Sequence, residues 1–93
     1  MDKNPAWRRE LEKVLRLAAG DPKTFNLLLE DLLSPEELKV LPVRWQIIKR
    51  LNQGRPHHKI TEELGVGVAT VTRGSQMLKN KTGGFQQILK KLK

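Results

Sequence analysis

Ninety-three residues allow one small domain with a modest core, and a chain this short gains from a partner that covers its apolar surface. It contains no cysteine, which excludes disulfides and thiolate metal sites and fits a reducing, cytoplasmic setting. The formal net charge is +8 and unevenly spread: residues 1–33 hold six basic and six acidic side chains, whereas residues 34–93 hold twelve basic and four acidic ones. The opening run, MDKNPAWRRELEK, lacks an apolar signal core, and nothing approaches the roughly 20 apolar residues of a membrane span, so a soluble protein with no membrane partner is expected. A basic surface attracts phosphate through counterion release, which makes nucleic acid the first partner to weigh. The alternative is a solvated basic face with no partner.

The pattern predicts an all-α fold of about six helices in a single domain, 1–93. A helix over 5–18 starts at Pro5 and spaces Trp7, Leu11, Val14 and Ala18 along one face, and Gly20 ends it. Asp21-Pro22 caps a second helix running to about Leu33, whose leucines 27, 28, 29, 32 and 33 form a band too broad for the surface of a small monomer. That band is either a central core helix or a dimer interface. Ser34-Pro35-Glu36-Glu37 is a capping box opening a third helix, where Pro42 either kinks the helix or starts a fresh one. Val43, Ile47 and Leu51 recur at i, i+4 and i+8 before Gly54. Short helices follow over about 57–64 and 68–80, joined by Gly65-Val66-Gly67. A last helix over 85–92 places Phe85, Ile88, Leu89 and Leu92 on one face with lysines opposite.

Two short helices with a glycine turn in a basic region predict a helix-turn-helix over about 56–80. Ile60, Leu64, Val66 and Val71 fall at the apolar positions that lock such a pair, with Thr61 and Gly74 departing from the usual pattern. The second helix is expected to present Gly67, Val68, Ala69, Thr70 and Thr72 to the major groove. These small and methyl-bearing groups suit base edges and thymine methyls but supply few long bidentate readers, so water and DNA shape are expected to contribute. His57, His58 and Lys59 begin the preceding helix and are expected to meet phosphates, with plain solvent exposure the alternative for the histidines, and Lys79 is a further expected DNA contact. Adjacent histidines point apart and no third ligand is near, which argues against zinc.

Gly74 is the anomaly. A glycine inside a helix costs about 0.8–1.0 kcal/mol relative to alanine, so something must come close to the backbone there. It follows Arg73, which can grip a carboxylate with two parallel bonds, and Arg44 lies on the helix expected to pack nearby. A pocket with two arginines and a backbone gap suits a small planar acid. Alternatively, Arg73 binds phosphate and Gly74 merely relieves crowding.

The run ELGVGVATVTRGSQMLK, residues 63–79, resembles the recognition segment of the tryptophan operon repressor family, and LLSPEELKVLPVRWQIIKRLNQG, 32–54, is similar to its central helix. The resemblance implies an all-α, intertwined homodimer that binds palindromic operator DNA when L-tryptophan is bound as corepressor, with no other cofactor. By the same resemblance Arg44 and Arg73 sandwich the indole and hold the carboxylate, and Ser34 places a hydroxyl beside the ligand. Main-chain carbonyls near Asp31 and Leu33 receive the amino group, and Gly74 lines the pocket. Met77 stands where some members carry a serine near the ligand amino group. Thr61 replaces a basic residue, the turn before Ile60 is one residue shorter, and Pro42 interrupts a helix that is continuous in the family. The expected ligand set is therefore Ser34, Arg44, Arg73, Gly74 and Met77. Two alternatives stay open: a DNA-binding regulator that ignores tryptophan or uses another aromatic acid, and a helical dimerisation or adaptor module with incidental charge. There is no paired acid in a plausible pocket, no tyrosine and no phosphate-cradling glycine loop after a strand, so an enzyme is not expected.

Overall fold

The first three helices start where a side chain caps the open backbone amides. The computed structural model describes residues 4–93, so the first three residues of the charged opening run lie outside the described residues. Six helices follow in order: α1 (Pro5–Ala19), α2 (Pro22–Leu32), α3 (Pro35–Asn52), α4 (His57–Leu64), α5 (Val68–Lys79) and α6 (Gly84–Lys91), with no strand among the described residues. The chain divides into two compact units, Met1–Leu38 and Lys39–Lys93, with the division inside α3.

In the first unit α1 packs on α2. The Asn4 side chain accepts from the Ala6 amide at 3.0 Å, and Pro5 takes the first helical position, where its missing donor costs nothing. Asp21 repeats the device, accepting from the Lys23 amide at 3.2 Å and the Thr24 hydroxyl at 2.7 Å. The Thr24 hydroxyl first, and then the Lys23 amide, hold the Asp21 carboxyl below its ordinary range. Little of this unit's apolar surface is covered: Ala18 is buried, whereas Trp7 is 67% and Leu17 72% exposed. The broad leucine band of α2 contains no buried residue within the chain, which argues against the central core helix considered for it.

The start of α3 carries the reciprocal pair anticipated at Ser34. The Glu37 carboxylate accepts from the Ser34 amide at 2.8 Å, and the Ser34 hydroxyl accepts from the Glu37 amide at 3.2 Å. Pro42 neither ends nor restarts the helix, which runs unbroken through it. Its ring nevertheless removes the amide that would bond to the Leu38 carbonyl, four residues back, and Leu38 is the last residue of the first unit.

The second unit is built around Ile47 of α3, Ile60 of α4 and Val71 of α5, each at most 1% exposed. Val43, Leu51, Leu64 and Val66 pack against them. The α4–α5 connection turns on Gly65, whose φ of +65° is a left-handed conformation that side chains resist. Its amide donates to the Thr61 carbonyl at 2.9 Å. α6 packs on α5, and its Phe85 meets Trp45 of α3 with ring centroids 6.4 Å apart.

With so few fully buried side chains, each should matter. Replacing Ile60 with alanine is expected to destabilise the protein by about 2–5 kcal/mol. Urea unfolding followed by circular dichroism measures this, and a loss well under 1 kcal/mol would contradict the central role assigned to Ile60.

Candidate nucleic-acid interface and ligand cleft

α5 is used on several sides. At 100° per residue, Val71 and Leu78 point into the unit while Ala69, Thr72 and Gln76 form an exposed strip. Gly67 precedes the helix in extended backbone, and Val68 at its start is 65% exposed, unusual for valine. The first-turn amides of α5 receive no side-chain cap. Thr70 is also exposed. His57 and His58 occupy the exposed first turn of α4, and Lys79 is the last residue of α5. The Thr61 hydroxyl donates back to the His57 carbonyl at 3.1 Å, so this side chain serves α4 itself.

Between α3 and α5 lies a cleft of about 200 Å³. Arg44, Arg73, Gly74 and Met77, four of the five residues expected to meet a ligand, line it together. Ser34, the fifth, belongs to the first unit, where it is engaged in the capping box. Ile47 and Ile48 form the floor, and Thr70 and Phe85 complete the walls. Gly74 allows this approach. A Cβ there would lie 3.1 Å from Cγ2 of Ile47 and 3.5 Å from Cδ1 of both Ile48 and Leu51. The glycine therefore both relieves crowding against α3 and leaves backbone as part of the cleft wall, so the two explanations considered for it are compatible. The chemistry on offer is an apolar slot with two guanidinium groups and one hydroxyl at its edge, and no carboxylate among its lining residues.

A hydrogen-bonded ion cluster fastens α4 to the end of α3. The Glu63 carboxylate accepts from Nε of Arg50 at 3.2 Å and from a guanidinium nitrogen of Arg55, and Arg50 also donates to the Gln46 side chain at 2.6 Å. The Glu63 side chain is about one-third exposed and bridges the two arginines.

The chain matches the Trp repressor protein family over residues 6–93. It belongs to that family. It is 40% identical over 87 residues to a Trp operon repressor homolog of Photobacterium profundum, covering 92% of this chain and 82% of the relative. It is 34% identical over 95 residues to one of Vibrio parahaemolyticus, covering 99% and 91%. A third, of Mannheimia succiniciproducens, is 37% identical over 86 residues, covering 91% and 83%. No solved structure matches the chain significantly. The Trp repressor family is one of DNA-binding regulators and not of enzymes. Among the described residues no helix is long and apolar enough to cross a membrane.

In this chain, sequence reading missed Phe85 as a cleft wall and Glu63 as a bridge. Phe85 is distant in sequence from the other walls, and only the packing of α6 on α5 brings it there. Oppositely charged residues at 50, 55 and 63 were visible, but they span a loop whose path no periodicity predicts.

The ion cluster has a pH signature. The Arg50 hydrogen bond is the largest influence on the Glu63 carboxyl, and together with the charge and hydrogen bond of Arg55 it outweighs the opposing effect of burial and holds the group below its ordinary range. A depressed folded-state value means that the stability Glu63 contributes is present above the ordinary carboxylate range and is lost as pH falls through the folded-state value. Thermal unfolding between pH 7 and pH 3 should therefore show a steeper acid loss for wild type than for Glu63→Gln. Parallel profiles would contradict it.

Proposed function

We propose that this chain is a transcriptional repressor that binds operator DNA as a homodimer and is switched on by L-tryptophan. The observation that carries the reading is the cleft between α3 and α5, in which Arg44 and Arg73 accompany a slot kept open by Gly74. A flat aromatic ring suits the apolar floor of Ile47 and Ile48, and a carboxylate suits the guanidinium groups. The cleft has room for one small planar molecule and not for a drug-sized one. Family membership and the repressor names of the relatives support the same assignment.

The mechanism follows from the cleft sharing α5 with the exposed strip. A ligand wedged against α3 fixes the angle of α5, and α4–turn–α5 acts as a helix-turn-helix with α5 in the major groove. Gly67, Val68, Ala69, Thr70 and Thr72 then approach base edges, and His57, His58 and Lys79 meet phosphates. A twofold dimer sets the two α5 helices roughly 34 Å apart, matching successive major grooves of a palindrome. Uncovered apolar side chains support dimerisation: Trp7, Leu17 and Leu27 in the first unit, and Ile88 and Leu92 at α6 in the second. Ser34 is proposed to add a hydroxyl beside the ligand, and residues 1–93 to act as one helical DNA-binding and dimerisation domain.

Met77, 44% exposed at the cleft, favours a second reading in which another aromatic acid is the preferred ligand, because a thioether offers an ammonium group little. Calorimetry separates the two. L-tryptophan is expected to bind the wild-type dimer, and Arg44→Gln and Arg73→Gln are each expected to weaken it about tenfold or more, the loss of one charge-assisted contact. Absence of heat at millimolar L-tryptophan in a folded dimer would remove the corepressor, and tighter binding of an aromatic acid without the amino group would favour the second reading. Mobility shifts on operator DNA should strengthen when tryptophan is added; equal shifts would mean ligand-independent binding.

A further inference from the structure

Beyond the α5 strip and the ligand cleft, a second concave surface of about 440 Å³ lies where the loop after α3, the start of α4, the end of α5 and the start of α6 meet. Arg55, His57, Lys79 and Lys81 converge on it with the Ser75 hydroxyl, and none of its lining residues is acidic. Two of these, His57 and Lys79, were expected from sequence to meet DNA. Arg55 and Lys81 were not.

The Arg55 side chain and the backbone that carries Lys81 are held by fixed surroundings. Glu63 anchors Arg55 from outside the concavity. Lys81 sits in a turn braced by Asn80, whose side-chain oxygen accepts from the Thr82 amide at 3.2 Å and the Thr82 hydroxyl at 3.1 Å. Gln86 ties α6 to α5 by donating to the Leu78 carbonyl at 2.6 Å, satisfying one of the acceptors left open at the helix end. Groups ordered in advance lose less entropy when they bind. The position is also informative. Ser75 and Lys79 lie on one side of the Ala69–Thr72–Gln76 strip, and Thr70, Gly74 and Met77 of the ligand cleft lie on the other. A duplex docked on the strip brings its sugar–phosphate backbone alongside such a flank.

We propose that this concavity is a backbone-phosphate clamp for the DNA strand flanking the major groove read by α5, with Arg55, Lys79 and Lys81 as its cations and Ser75 as a neutral donor. It rests on the DNA-binding reading above and adds residues and a location to it. A phosphate clamp carries no sequence information, so it should act equally on operator and unrelated duplexes.

The test is the salt dependence of DNA affinity for the full chain with tryptophan in excess. Lys81→Gln is expected to weaken binding to operator and to random duplex alike, by about threefold to tenfold, and to lower the slope of log affinity against log salt by about 1. Lys91→Gln removes the same charge outside the concavity and is expected to change both far less. The urea midpoint of Lys81→Gln should match wild type, because the Lys81 side chain is exposed. Equal effects of the two variants, or an unchanged slope in Lys81→Gln while wild type binds DNA, would overturn the clamp and leave the repressor reading standing. Wild type that binds no duplex at all would overturn both. An NMR titration with inorganic phosphate distinguishes a free anion: shifts at Lys79 and Lys81 with an unchanged DNA slope in the variant would replace the duplex as occupant and overturn the proposal.

Discussion

How closely α5 can lie on α3 is set by one missing methyl group. A Cβ at Gly74 would press on the Ile47 side chain at 3.1 Å, which would have to give by a few tenths of an ångström, and would be in ordinary contact with Ile48 and Leu51. The buried trio of Ile47, Ile60 and Val71 depends on that closeness, because Ile47 belongs both to the core and to the surface that Gly74 meets. The cleft shares the same residues: Gly74, Ile47 and Ile48 line it together with Arg44 and Arg73. Core, cleft and the aim of α5 are thus parts of one contact. A helix weakened by about 0.8–1.0 kcal/mol of propensity is offset by the packing it permits.

Around that contact the protein is sparsely buried. Five apolar side chains form its whole buried core among the described residues, and no polar side chain is buried. The ion cluster of Glu63 with Arg50 and Arg55 supplies part of what a larger core would otherwise supply, joining α4 to α3 from the outside. The second unit carries twelve basic residues against two acidic ones, and one of those two acids is committed to this cluster. Positive charge that favours phosphate is also charge that repels itself in the folded state. Glu63 moderates that repulsion where the connecting loop crowds two arginines together.

Features decided within a few residues were legible in the sequence. Asp21 and the Ser34–Glu37 pair announce helix starts because the donor and acceptor are at most three positions apart. Gly65 marks the turn because the left-handed backbone there excludes side chains. Gly74 was legible as an anomaly and Arg73 as its companion, but which atoms Gly74 meets depends on α3, more than twenty residues earlier. Phe85 as a cleft wall and Glu63 as a bridge were not legible, since helical periodicity says which face is apolar and nothing about which neighbour it finds. Pro42 was legible only in part: its local cost predicts a kink or a fresh start, and the helix runs on through it without a fresh start.

The helix that follows the Gly65 turn has almost no idle surface. Val71 and Leu78 face inward, Thr70, Gly74 and Met77 border one concavity, Ser75 and Lys79 border another, and Ala69, Thr72 and Gln76 remain outward. A segment of twelve residues so fully committed has little latitude to drift. Divergence among descendants of this sequence should accumulate on α1 and α2, whose large apolar side chains are mostly exposed within the chain. Along α5, tolerated exchanges should sort by angle around the helix, following its 3.6-residue period.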